Sequence, residues 1–112
     1  MSSTELDSDV VVAEKIEIKK PSQYDVIVHN NDHTSYDEVI LILSQTFEIT
    51  HQDALDIAQK VDSEGKGLCG TYSKEVAEMK IIIVGMVKDS LITMFPHRQR
   101  EITMLKFTVE KS

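Results

Sequence analysis

The chain has 112 residues, of which 41% are hydrophobic and 28% charged, and its formal charge at pH 7 is −7. That length and apolar fraction suit one domain with one modest core. The acidic balance disfavours a phosphate backbone as partner, so nucleic acid is not expected, whereas a cationic group is.

Residues 1–20 are polar and acid-rich, with one apolar island at Val10-Val11-Val12-Ala13. They read as a flexible extension, joined by Lys19-Lys20-Pro21-Ser22 to a core domain over 21–112. Tyr24 to His29 is predicted as the first strand, with Tyr24, Val26 and Val28 on one face. Thr34 or Ser35 suits the cap of a first helix, which has Asp37 and Glu38 in its first turn and Tyr36, Val39, Ile40, Leu43 and Phe47 at helical spacing. Thr50-His51-Gln52-Asp53 opens a second helix marked by Ala54, Ile57, Ala58 and Val61, and Gly65 stops it. Gly67 to Tyr72 is a short strand. Ser73 caps a third helix whose buried stripe is predicted to be Val76, Met79, Ile83, Met86 and Val87. Pro96 falls in the following loop. Ile102 to Glu110 is predicted as the last strand, with Thr103, Leu105, Phe107 and Val109 on one face. The order is β-α-α-β-α-β. The expected class is α+β, a three-stranded antiparallel sheet backed by three helices.

Several function classes are disfavoured. Met1 to Asp7 lacks the basic and apolar regions of a signal peptide. The longest apolar run, Ile81 to Met86, is broken by Gly85 and is too short to cross a bilayer. No membrane association is expected, and a cytoplasmic protein is. Cys69 is the single cysteine, which excludes an intrachain disulfide and suits a reducing compartment. With a histidine it would make a nucleophile pair, but a lone cysteine inside a strand is more often packing, so an enzyme is not expected. His29 and His33 flank Asp32 and are metal-ligand types, yet no second ligand pair follows, so no metal is expected. Gly65-Lys66-Gly67 is too short for a phosphate loop and follows a helix, so no cofactor is expected either.

The polar cluster after the first strand is the densest chemistry in the chain. Asn30 and Asp32, if joined by Asp62, would form an acceptor-rich set suited to an ammonium group. The alternative is that Asn30 and Asp32 only shape a turn or cap the first helix.

Three blocks carry a family resemblance. Pro21-Ser22-x-Tyr24-x-Val26-Ile27-x-x-Asn30-x-Asp32-x-Thr34 resembles the signature of ClpS, the N-end-rule adaptor of bacterial Clp proteases. Gly65-Lys66-Gly67-Leu68-Cys69-Gly70, followed by Glu75-Val76-Ala77-Glu78-x-Lys80, looks like its second signature. Leu105-Lys106-x-Thr108-Val109-Glu110 looks like its third. The resemblance implies an adaptor, not an enzyme. It would bind the N-terminal Leu, Phe, Tyr or Trp of a substrate (an N-degron) and deliver that substrate to the N-terminal domain of a ClpA- or ClpC-type unfoldase. It implies α-amino binding by Asn30 and Asp32. Asp62 stands where the family has a histidine that also contacts the amine. It further implies a pocket lined by Val28, Thr34, Tyr36, Val39, Ala58, Val61 and Leu105, and an unfoldase-facing surface at Glu75 and Lys80. Asn31, Tyr36 and Ala58 depart from the family pattern, and a longer segment over about 91–100 carries His97, Arg98 and Arg100. The alternative function is a diverged domain that engages the unfoldase without N-degron recognition, as a modulator or inhibitor.

Overall fold

The computed structural model describes residues 22–112. The predicted extension over 1–20, and Pro21, lie outside the described residues.

Strand β1 (Tyr24–His29) is the centre of the sheet. Its β-branched side chains suit a two-sided packed strand, and Val26 and Val28 have no exposed surface. It pairs antiparallel with β2 (Lys66–Tyr72) on one side and with β3 (Phe107–Lys111) on the other. Val28 sits opposite both Gly67 and Phe107. The β1–β2 register shifts between Val26, which faces Gly70, and Ile27, which faces Leu68. Cys69 is therefore an extra residue, a bulge, and it is buried.

Three helices cover this sheet: α1 (Tyr36–Phe47), α2 (His51–Glu64) and α3 (Lys74–Met94). Each begins at a hydroxyl cap of the kind that satisfies orphan amides. Ser35 and Glu38 form a reciprocal capping box on α1. Thr50 Oγ1 accepts from the Asp53 N–H at 3.0 Å, and Ser73 Oγ from the Val76 N–H at 3.3 Å. Gly65 ends α2 in the left-handed region at φ 90°, its N–H donating to the Val61 carbonyl at 2.8 Å. Val26, Val28, Ile42, Leu43, Ala54, Ala77, Val84 and Leu91 meet in one core.

Two predicted features differ. The face of α3 toward the core carries Ala77, Val84 and Leu91, not the predicted stripe. Ile83 and Val87 are half-buried, while Val76, Met79 and Met86 are 43%, 54% and 63% exposed. Residues 76–87 are apolar on nearly every side, so periodicity selects no face; the small Ala77 lets the helix approach the sheet. The last strand starts at Phe107, not Ile102, and Pro96 opens a 3₁₀ turn over Pro96–Arg98 that runs into a short helix, α4 (Gln99–Met104). Ile102 and Leu105, both buried, are spaced as a helical face, and that reading prevails over the alternation Thr103, Leu105, Phe107, Val109. The architecture is β-α-α-β-α-β with α4 as a small addition before β3.

Candidate functional site

The end of β1 is tied on both sides. The His29 N–H donates to the Lys106 carbonyl and the Asn30 N–H to the Gly65 carbonyl, each at 2.9 Å. The chain then turns through a short loop into α1. Asn31 Oδ1 accepts from the His33 N–H at 2.7 Å, and the Thr34 N–H donates to the Asn31 carbonyl at 3.3 Å. Such side-chain-to-backbone bonds are how asparagine builds turns. Asn30 Nδ2 points to Asp32 Oδ1 across a long 3.5 Å.

Between this loop, the first turns of α1, the last turns of α2 and the entry to β3 lies a cavity of about 310 Å³. Its floor is Val39, Ala58, Val61 and Leu105, all buried. Its rim is polar: Asn30, Asn31, Asp32 and Thr34 from the loop, Ser35 and Tyr36 from the start of α1, and Asp62 from α2. The rim carries two carboxylates and no cationic side chain. Acceptors above an apolar floor suit a ligand with a cationic head and an apolar body. Partial withdrawal from water and the neighbouring Asp62 carboxylate raise the Tyr36 hydroxyl above its ordinary pKa.

The site is buttressed from the segment after α3. Arg98 Nε and Nη2 donate to the two Glu38 carboxylate oxygens, each at 2.9 Å, and Nη2 also donates to the His33 carbonyl at 2.8 Å. The guanidinium's hydrogen bonds, with Ser35's contribution, hold the Glu38 carboxyl down at about 2. Thr34 Oγ1 donates to the Glu101 carbonyl at 3.0 Å.

Of the sequence-derived candidates, Asn30, Asp32, Asp62, Thr34, Tyr36, Val39, Ala58, Val61 and Leu105 surround this one cavity. Val28 is wholly buried in the core and is not part of the lining. Asn31 and Ser35 line it without having been singled out as ligand groups, and Glu38 and Arg98 brace it. Glu75 and Lys80 both lie on α3, five residues or about 140° apart. Lys80 Nζ donates to the Thr46 carbonyl at 3.2 Å and sits 5.6 Å from the centre of the Tyr72 ring. His29 Nε2 lies 2.7 Å from Thr108 Oγ1 on β3. Burial pushes the Cys69 thiol up to about 12, which suits packing and not nucleophilic attack. Among the described residues no three His, Cys, Asp or Glu side chains gather as a metal site, and no helix is long and apolar enough to cross a membrane.

Residues 19–92 match the family model described as ATP-dependent Clp protease adaptor protein ClpS. The chain belongs to the ClpS family. The family is one of protease adaptors, not of catalysts. The chain is 43% identical over 79 residues to the ClpS adapter of Vibrio atlanticus, covering 70% of this chain and 74% of that protein. Against the ClpS adapter of Oleidesulfovibrio alaskensis it is 40% identical over 82 residues, covering 73% and 77%. The fold is similar to that of Agrobacterium tumefaciens ClpS2 bound to L-phenylalaninamide, with TM-score 0.66 and 20% identity over 83% of this chain and all of that one. The segment holding Arg98 and α4 lies past the residues that match the family model.

Proposed function

We propose that this ClpS-family chain binds the free N-terminal residue of a substrate, a Leu, Phe, Tyr or Trp, and delivers the substrate to a ClpA- or ClpC-type unfoldase. The observation that carries this reading is the placement of Asn30, Asp32 and Asp62 on the rim of one cavity floored by Val39, Ala58, Val61 and Leu105. A free α-amine, which ordinarily titrates at about 7.7–8.0, is largely cationic at pH 7. Each charge-assisted hydrogen bond to it is worth about 1.5–3 kcal/mol. Burying a Leu or Phe side chain adds about 1.5–3 kcal/mol. After the several kcal/mol cost of association, affinity reaches roughly the micromolar range. Neither half is enough alone. An internal segment would leave the carboxylates without their cation, which is the main source of discrimination. L-phenylalaninamide, the ligand of the Agrobacterium tumefaciens relative, has the same two parts, an amine and an aromatic side chain.

Delivery uses the outward face of α3. Glu75 and Lys80 border exposed Val76 and Met79, an apolar strip flanked by charge as protein interfaces commonly are. The test of the whole reading is fluorescence anisotropy with peptides that begin with free Leu or Phe, against their N-acetylated forms. Free peptides should bind and acetylated ones should not. Equal binding of both refutes N-degron recognition and favours the modulator reading.

A further inference from the structure

We propose that Arg98 is a positioning residue of the amine-binding site, clamping Glu38 and the His33 carbonyl so that the loop presents Asn30 and Asp32 in a fixed geometry. The inference rests on the N-degron reading and adds to it a part supplied by the segment between α3 and β3.

The loop from Asn30 to Ser35 has little of its own to hold it. Its internal hydrogen bonds are the exposed His33-to-Asn31 and Asn30-to-Asp32 contacts and the 3.3 Å Thr34-to-Asn31 turn bond. The remaining ties come from outside. Arg98 takes the His33 carbonyl and both oxygens of Glu38, and Glu38 Oε1 accepts from the Ser35 N–H at 2.9 Å. Glu101 takes the Thr34 hydroxyl through its carbonyl. The loop is thus fastened on both sides of Thr34 to the 98–101 segment. A planar guanidinium reaches the two carboxylate oxygens from separate nitrogens while one of them also donates to the carbonyl, a fixed geometry that an ammonium, with all its donors on one nitrogen, does not reproduce. The pair is partly shielded, with the Arg98 side chain 31% and the Glu38 side chain 15% exposed, so solvent screens it less than a surface pair. Acceptors held in place before the ligand arrives bind more tightly than acceptors that must be ordered by it.

The sign of the effect separates positioning from charge. Arg98 is a cation near a site for a cation, so removing it should help the ligand if charge alone mattered. Positioning requires the opposite.

The experiment compares the native 112-residue chain with Arg98→Gln and Arg98→Lys. It measures anisotropy with a peptide that begins with free Phe, and amide hydrogen exchange of the ligand-free proteins. Expected for Arg98→Gln is a loss of affinity of about tenfold, with exchange at His33, Thr34 and Ser35 quickened by more than any change at Val26 and Val84. Arg98→Lys should keep the melting temperature close to native yet remain weak. Unchanged or tighter binding by Arg98→Gln overturns the inference, as does full rescue by lysine, or a loss of protection that extends equally to Val26 and Val84. If the native chain fails to bind the peptide, the N-degron reading itself falls and takes the assignment with it. Native binding with an unaffected Arg98→Gln variant overturns the clamp alone.

Discussion

The backbone N–H of Asn30 donates to the carbonyl of Gly65 at 2.9 Å. This joins the end of β1 to the residue that ends α2, and it is why Asp62, on the last turn of α2, shares a cavity with Asn30 and Asp32. Two glycines shape the joint for different reasons. Gly65 holds φ 90°, with nothing within 4 Å of an added Cβ. Gly67 is crowded: its Cβ would lie 2.9 Å from Val61 Cγ2 and 3.1 Å from Ile57 Cγ2.

Gly65→Ala should therefore cost about 1–2 kcal/mol, from backbone conformation alone. Gly67→Ala should cost about 1–3 kcal/mol by overpacking, and should also weaken peptide binding, because the displaced Val61 is part of the cavity floor. Urea denaturation with anisotropy on both variants checks this. A Gly67→Ala protein of native stability would show that α2 does not press on β2 there.

Asp32→Ala should abolish binding of a peptide with a free N-terminal Phe and leave the melting temperature within a few degrees of native. Asp32 is exposed, and its side-chain contact is the 3.5 Å approach of Asn30 Nδ2. The α1 cap belongs to Ser35 and Glu38, so Asp32 has no capping role to lose. A large drop in melting temperature on thermal denaturation would contradict this separation of binding from folding.

Cys69 should resist thiol reagents in the native protein at pH 8 and react fully in urea. Burial raises its thiol to about 12, so almost none is thiolate at that pH. Rapid native labelling, followed by absorbance of the released chromophore, would contradict the buried position of the bulge.

Strand β1 and the starts of all three long helices were legible because each is announced locally: β-branched residues for β1, and Ser35, Thr50 and Ser73 as caps. The buried face of α3 was not, since Val76, Met79, Ile83 and Met86 are as apolar as Ala77, Val84 and Leu91. Which set turns inward depends on the size of Ala77 and on the sheet it meets, and neither is a periodic signal. The same limit hid α4, where Ile102 and Leu105 satisfy helical spacing while Leu105 and Phe107 also satisfy strand alternation. For the site, Asn30 and Asp32 stand out as polar residues at a strand end, whereas Asp62, on another helix, joins them only as a third acceptor type, and no local pattern says that it lies beside them. The brace between Arg98 and Glu38 links residues 60 apart, which no local pattern announces.

Arg98 and Glu38 also set an acid response. The folded-state carboxyl of Glu38 lies at about 2 against an ordinary 4.5, so the folded state binds its proton less readily than the unfolded chain. Its stabilising contribution is fully present above about pH 4.5 and is lost as pH falls from there toward 2. Arg98→Gln should lower stability at pH 6, because Glu38 loses its bidentate partner. The gap between native and variant should narrow at pH 3. Urea titrations at the two pH values test this; a gap that stays constant would show that Glu38 gains nothing from Arg98.

The last prediction concerns Asp62, the rim carboxylate beside Tyr36. If it helps hold the ligand amine, replacing it with histidine changes the sign of the site on acidification. An imidazole gains its charge near pH 6.5, and a cationic ring on the rim repels an ammonium. Asp62→His should therefore lose affinity for a free-Phe peptide between about pH 7 and pH 6, beyond any change in the native protein. His33 borders a separate cavity with Arg100 and Glu101 and is present in both proteins, so any effect it has is common to both. The native protein should also bind with the steeper salt dependence, since its rim carries one more negative charge to draw the amine in. Tyr36→Phe removes the hydroxyl beside Asp62 and serves as a control: it should preserve the native pH profile. Anisotropy across pH 5.5 to 7.5 at two salt concentrations measures all three proteins. Identical profiles for native and Asp62→His would place Asp62 outside the amine site and leave Asn30 and Asp32 to hold the ammonium alone.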